Sequence, residues 1–103
     1  MMSLRIDQLI DSSAFRAAIA ALPYGVLRAK GIVWLTDDPN RQTIFQLVGK
    51  RWSLKSGGAW DGRQPGTELV FIGLPGSIDC ALLAKTFSVS QTEGAVLCHR
   101  GPG

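Results

Sequence analysis

Residues 26–36, VLRAKGIVWLT, and residues 42–54, QTIFQLVGKRWSL, are two long extended runs on either side of a polar turn that carries Pro39 and Asn40. Both are rich in Val, Ile, Leu, Phe and Trp, side chains that pack well on a pleated surface. Pro23 and Gly25 bound the first run, and the second carries Gly49 within it. Together they read as a β-hairpin at the centre of an antiparallel sheet. Alternation places Leu27, Ala29, Gly31, Val33 and Leu35 on one face of the first strand and Val26, Arg28, Lys30, Ile32 and Trp34 on the other. In the second run Ile44, Gln46, Val48, Lys50 and Trp52 share a face. Neither strand has a purely polar face, so the pattern leaves the register open. The face from Leu27 to Leu35 is the better candidate for burial, because small Ala29 and Gly31 let a helix approach closely.

Working outward, residues 3–8 (SLRIDQ) alternate apolar and polar and read as a short strand. Asp11, Ser12 and Ser13 offer capping oxygens, and Phe15, Ala18, Ile19 and Leu22 follow at helical spacing until Pro23 forbids continuation. Beyond the hairpin, residues 55–66 (KSGGAWDGRQPG) read as a loop around Trp60. Residues 67–74 (TELVFIGL) read as an interior strand. Pro75, Gly76 and Ser77 end it and cap a second helix whose apolar side carries Ile78, Ala81 and Leu82. Residues 87–90 read as a short extended piece, and residues 94–103 (GAVLCHRGPG) as a flexible tail. The expected order is β-α-β-β-β-α. It makes a two-layer α+β sandwich, an antiparallel sheet with both helices on one face, in a single domain spanning residues 1–93.

A chain of 103 residues that is 46% hydrophobic and 18% charged is one globular domain able to bury its own core. No apolar run reaches the roughly 18–20 residues of a membrane span. The start, MMSLRIDQLID, lacks the apolar stretch of a signal peptide, so a cytoplasmic location is expected. The net charge of +3 tolerates an acidic partner without specifying one.

Catalytic chemistry is hard to assemble. His99 is the only histidine and lies in the tail, so a Ser-His-Asp or Cys-His device would depend on a flexible segment. The one Gly-Lys pair, Gly49-Lys50, has no upstream glycine at phosphate-loop spacing. No cofactor site is expected. Cys80 and Cys98 are too few for a disulfide framework or a four-ligand zinc site. Cys80 reads as a small buried hydrophobe, and adjacent Cys98 and His99 are the weak candidates for metal ligands. Asp37 and Asp38 read as turn formers. Arg28, Lys30, Trp34, Lys50 and Trp52 interleave basic and aromatic side chains. Such a sheet face can stack bases and hold phosphates or bind a protein; otherwise the tryptophans pack in the core under basic stems.

Four separated blocks then carry a resemblance: Leu27-Arg28-Ala29-Lys30-Gly31, Val48-Gly49-Lys50-Arg51-Trp52, Trp60, and Leu69-Val70-Phe71-Ile72-Gly73. Together, over residues 12–87, the chain resembles the C-terminal domain of the CobW family, the GTPase metallochaperones linked to cobalamin synthesis, zinc homeostasis and nitrile hydratase activation. The family's phosphate loop, CxCC metal motif and histidine-rich tracts do not occur here. The resemblance therefore implies a non-enzymatic accessory domain that meets a GTPase domain, a client metalloprotein or a second copy of itself. Arg28, Lys30, Trp34, Lys50 and Trp52 are the expected contact residues. The alternative is a small nucleic-acid-binding module using the same residues.

Overall fold

Alternating short apolar runs build the sheet, and two short amphipathic helices cover it. A computed structural model describes residues 1–74, 76, 78–87 and 96–100. The elements are β1 (Met2–Ile6), α1 (Ser12–Ala20), β2 (Val26–Val33), β3 (Arg41–Val48), β4 (Arg51–Ala59), β5 (Thr67–Gly73), α2 (Cys80–Phe87) and β6 (Val96–Arg100). The strands form one antiparallel sheet in the order β4-β3-β2-β5-β1-β6. The two-layer α+β architecture is as expected.

One face of the sheet is the core. Registered neighbours give a row Leu54–Phe45–Gly31–Leu69–Leu4 and a parallel row Trp52–Leu47–Ala29–Phe71–Met2. Phe15, Ala18 and Ile19 of α1 and Leu83 and Phe87 of α2 are buried against them. An aromatic chain binds the layers. Phe45 meets Phe15 edge-on at 5.4 Å, Phe15 meets Phe87 at 5.9 Å, and Phe87 meets Phe71 at 5.8 Å. Offset and edge-on rings of this kind add to their burial. Asp11 caps α1, its carboxylate accepting the Ala14 N–H at 3.0 Å and the Ser13 hydroxyl at 2.5 Å. Those two bonds, the hydroxyl first, hold the Asp11 carboxyl below its ordinary 3.8. The cap therefore stabilises the helix at pH above 3.8 and is lost as the pH falls below it, through the lowered folded value.

Several expectations are corrected. The second extended run is two strands, because Gly49, with φ of 64°, and Lys50 form a two-residue turn between Val48 and its partner Arg51. Left-handed backbone is what such a turn demands and glycine supplies it freely. The segment read as a loop from Lys55 begins as the rest of β4. A register shift between Val26 and Arg28 turns Val26 inward and leaves Leu27 45% exposed, reversing the expected facing at that point. In α2 the buried side is Leu83 and Phe87, whereas Ala81 and Leu82 face outward. Asp79 caps it, accepting the Leu82 N–H at 2.7 Å; Pro75 and Ser77 lie outside the described residues. Phe87 ends the helix, and residues 88–90 also lie outside. Within the expected tail, Val96–Arg100 is an edge strand paired with β1; residues 94, 95 and 101–103 are not described.

Gly31 stands in the buried row for a reason other than helix approach. A Cβ there would lie 2.0 Å from the Glu68 carbonyl oxygen and 2.9 Å from the Leu69 Cα, both backbone atoms of β5. The centre of the β2–β5 ladder closes only over a hydrogen. Gly31→Val is expected to destabilise the domain by about 1–3 kcal/mol through overpacking, read as a lower urea midpoint; an unchanged midpoint contradicts this placement.

Candidate functional site

The face of the sheet away from the helices carries three registered rows. The first runs Lys55–Ile44–Ile32–Glu68–Arg5, the second Ser53–Gln46–Lys30–Val70–Ser3, the third Arg51–Val48–Arg28–Ile72. Ile44, Val48 and Ile72 are 48%, 49% and 47% exposed, far more than isoleucine and valine in a covered sheet. Ile32 and Val70 lie half-buried between them. A shallow open depression lies around Lys30, Ile44 and Val70.

Charge on this face is lopsided. Arg5, Arg28, Lys30, Arg51 and Lys55 stand in the three rows against a single acid, Glu68. That acid is already engaged by the Arg5 guanidinium, which also bonds Asp7 at 2.6 Å. Arg28, Lys30, Arg51 and Lys55 remain as a positive field over an apolar strip.

The five expected contact residues do not form one site. Arg28 and Lys30 lie on the open face as expected. Trp34 falls just beyond β2 and serves the fold: its backbone N–H bonds the Thr67 hydroxyl at 3.0 Å and its indole N–H bonds the Pro39 carbonyl at 3.0 Å. Buried Trp60 donates to the same carbonyl at 3.1 Å, so two indoles hold one turn. Ser12 and Thr36 stitch that turn to the start of α1, the Ser12 N–H reaching the Thr36 hydroxyl at 3.1 Å. Lys50 and Trp52 are displaced to the helix side by the Gly49-Lys50 turn. There they border a groove with Leu27 and Tyr24, the Lys50 ammonium standing 5.5 Å above the exposed Tyr24 ring. Sequence reasoning missed Ile44, Val48 and Ile72 as surface residues; their sign was an apolar residue in register with Arg28 or Lys55, visible only once the strands were paired.

Trp34 and Trp52 thus do not share the open face with Arg28 and Lys30, and the interleaved aromatic and basic face expected from the sequence is not formed by the described residues of β1–β5. The expected metal pair is also altered. Cys98 is bonded to Cys80, with 5.4 Å between their Cα atoms, and so has no thiolate to offer. Cys80 is thus half of a cross-link and only partly buried. His99 lies opposite Ser3 in the backbone register, and its side chain lies outside the described residues. No cluster of three or more His, Cys, Asp or Glu capable of holding a metal occurs among the described residues. Nor is any described helix long and apolar enough to cross a membrane.

A family model described as the cobalamin synthesis protein cobW C-terminal domain matches residues 1–89. No protein with a curated description matches the chain. Among solved structures, the zinc-bound YjiA GTPase from E. coli shares the fold with a TM-score of 0.73 at 21% identity, over 87% of this chain and 29% of that one. A zinc-bound triple mutant of YjiA GTPase is similar at a TM-score of 0.71 and 20% identity, over the same shares. The chain thus spans under a third of the length of the GTPases it matches.

The two tryptophans are expected to separate in a stability measurement. Trp60→Ala should cost about 3–5 kcal/mol, the range for a buried aromatic, while Trp52→Ala, on the groove rim, costs markedly less. Equal losses by chemical denaturation would put both rings in the same environment.

Proposed function

The chain belongs to the cobalamin synthesis protein cobW C-terminal domain family, and from that membership we propose a non-catalytic interaction domain whose uncovered sheet face docks onto a GTPase domain. The observation that carries this reading is the exposure of Ile44, Val48 and Ile72 in a strip flanked by Arg28 and Lys30. Exposed apolar surface with a polar border is the usual mark of a contact site on a soluble domain. Burying the strip against a complementary surface supplies affinity. The unmatched cations favour a partner surface rich in Asp and Glu and speed the encounter. That the similar solved chains are GTPases about three times as long supports a GTPase domain as the partner.

In this role the domain works in the cytoplasm as an accessory part of GTP-dependent metal handling. It hydrolyses no nucleotide itself: its one Gly-Lys pair is the β3–β4 turn, with a strand following where a phosphate loop needs a helix. Metal delivery and choice of client belong to the partner.

The test is titration calorimetry of the chain against the GTPase domain of a family member. The double variant Arg28→Glu with Ile72→Asp should weaken binding at least about tenfold, the loss of one buried contact with its charge complement, and leave the far-ultraviolet spectrum unchanged. Unaltered affinity, or loss only in Lys50→Glu with Trp52→Ala, moves the contact to the helix-side groove. Dimerisation of the chain alone in sedimentation, abolished by the same double variant, assigns the face to a second copy instead.

A further inference from the structure

β6 differs from the other strands in how it is held. It lies at the outer edge of the sheet, with a ladder on one side only, to β1. Its five residues run from Val96 opposite Ile6 to Arg100 opposite Met2. The match to the family model ends at residue 89, ahead of this strand. A short one-sided edge strand is the kind of element that opens locally at little cost. Its one covalent tie is at its centre, where Cys98, opposite Leu4 on the helix side, is bonded to Cys80 at the first residue of α2. Both cysteines pack against the core while staying only partly buried, which leaves the bond within reach of a thiol in solution.

We propose that the Cys80–Cys98 disulfide is a redox-active site that latches β6 onto β1, and that reduction by a dithiol releases the strand. The chemistry is thiol–disulfide exchange. One thiolate of the dithiol attacks a sulfur of the pair, the S–S bond breaks, and the other cysteine leaves as thiolate and takes up a proton. The second thiol of the reductant then attacks the mixed disulfide, closes its own disulfide and expels the remaining cysteine. Two electrons and two protons pass from the dithiol to the protein. Reduction removes that tie, so the one-sided ladder to β1 and the packing of β6 beside α2 must hold the strand. When β6 leaves, the outer N–H and C=O groups of β1 are uncovered, and an unpaired edge of this kind accepts another extended strand. In an oxidising compartment the latch stays shut; in a reducing one it opens and closes with the dithiol supply.

Hydrogen exchange followed by NMR on the full chain tests this, with dithiothreitol as the dithiol. Before reduction iodoacetamide should label neither cysteine, and after it both. On reduction the amides of β6 and the β6-facing amides of β1 should exchange at least about tenfold faster, while those of β2, β3 and β4 stay within about twofold. Reoxidation should restore them. Cys80→Ser should show the fast exchange from the start and ignore dithiothreitol. Labelling of both cysteines in the air-oxidised chain overturns the proposal, as does unchanged β6 exchange after reduction. Equal loss of protection in β2–β4 overturns it too, since the bond would then staple the whole fold.

Discussion

Two helices of nine and eight residues cannot cover both faces of a six-stranded sheet. At about 1.5 Å per residue each is roughly 12–14 Å long, while six strands at about 4.8 Å spacing span some 24 Å from first to last. The helices therefore lie together on one side, joined through Phe15 and Phe87, and the buried apolar residues of α1 and α2 all pack there. The other side must either be polar or wait for a partner. It is neither wholly polar nor covered: Ile44, Val48 and Ile72 sit in register with Lys55, Arg51 and Arg28. That single geometric shortfall generates the functional reading.

The same constraint explains how the remaining residues are deployed. Close packing at the centre of the ladder demands a hydrogen at Gly31, where the β5 backbone passes. The end of the sheet is closed without a helix, by two indoles on the Pro39 carbonyl and by the Ser12–Thr36 hydrogen bonds. The β1 edge is closed by β6 and its disulfide. While the disulfide is intact, these bonds hold the frame that presents the open face. A rigid frame lowers the ordering cost of docking.

Local periodicity made the first helix legible: Phe15, Ala18 and Ile19 are buried as their spacing requires. It also made the buried row through Ala29 and Val33 legible, and the blocks that carry the family resemblance. It failed where one residue changes phase. The bulge at Leu27 and the turn at Gly49-Lys50 each reverse the facing of the residues beyond them, and neither interrupts the apolar run. The α2 face was misread because Ile78 is buried yet precedes the helix. Of the site, Arg28 and Lys30 were legible from alternation. Trp34, Lys50 and Trp52 were misplaced because their positions depend on where strands stop. The disulfide was invisible, since Cys80 and Cys98 meet only through the β1–β6 pairing, a contact with no local signature.

One face of this sheet, on the present reading, is bare until a partner covers it. Methyl NMR with a soluble nitroxide in the buffer measures that directly, through paramagnetic broadening of accessible groups. The methyls of Ile44, Val48 and Ile72 should broaden strongly in the isolated chain while those of Leu4, Leu69 and Leu83 stay sharp, and the three should sharpen when a GTPase domain is added. Sharp Ile44, Val48 and Ile72 signals in the isolated chain would mean that the face is already covered, and would contradict a bare docking surface.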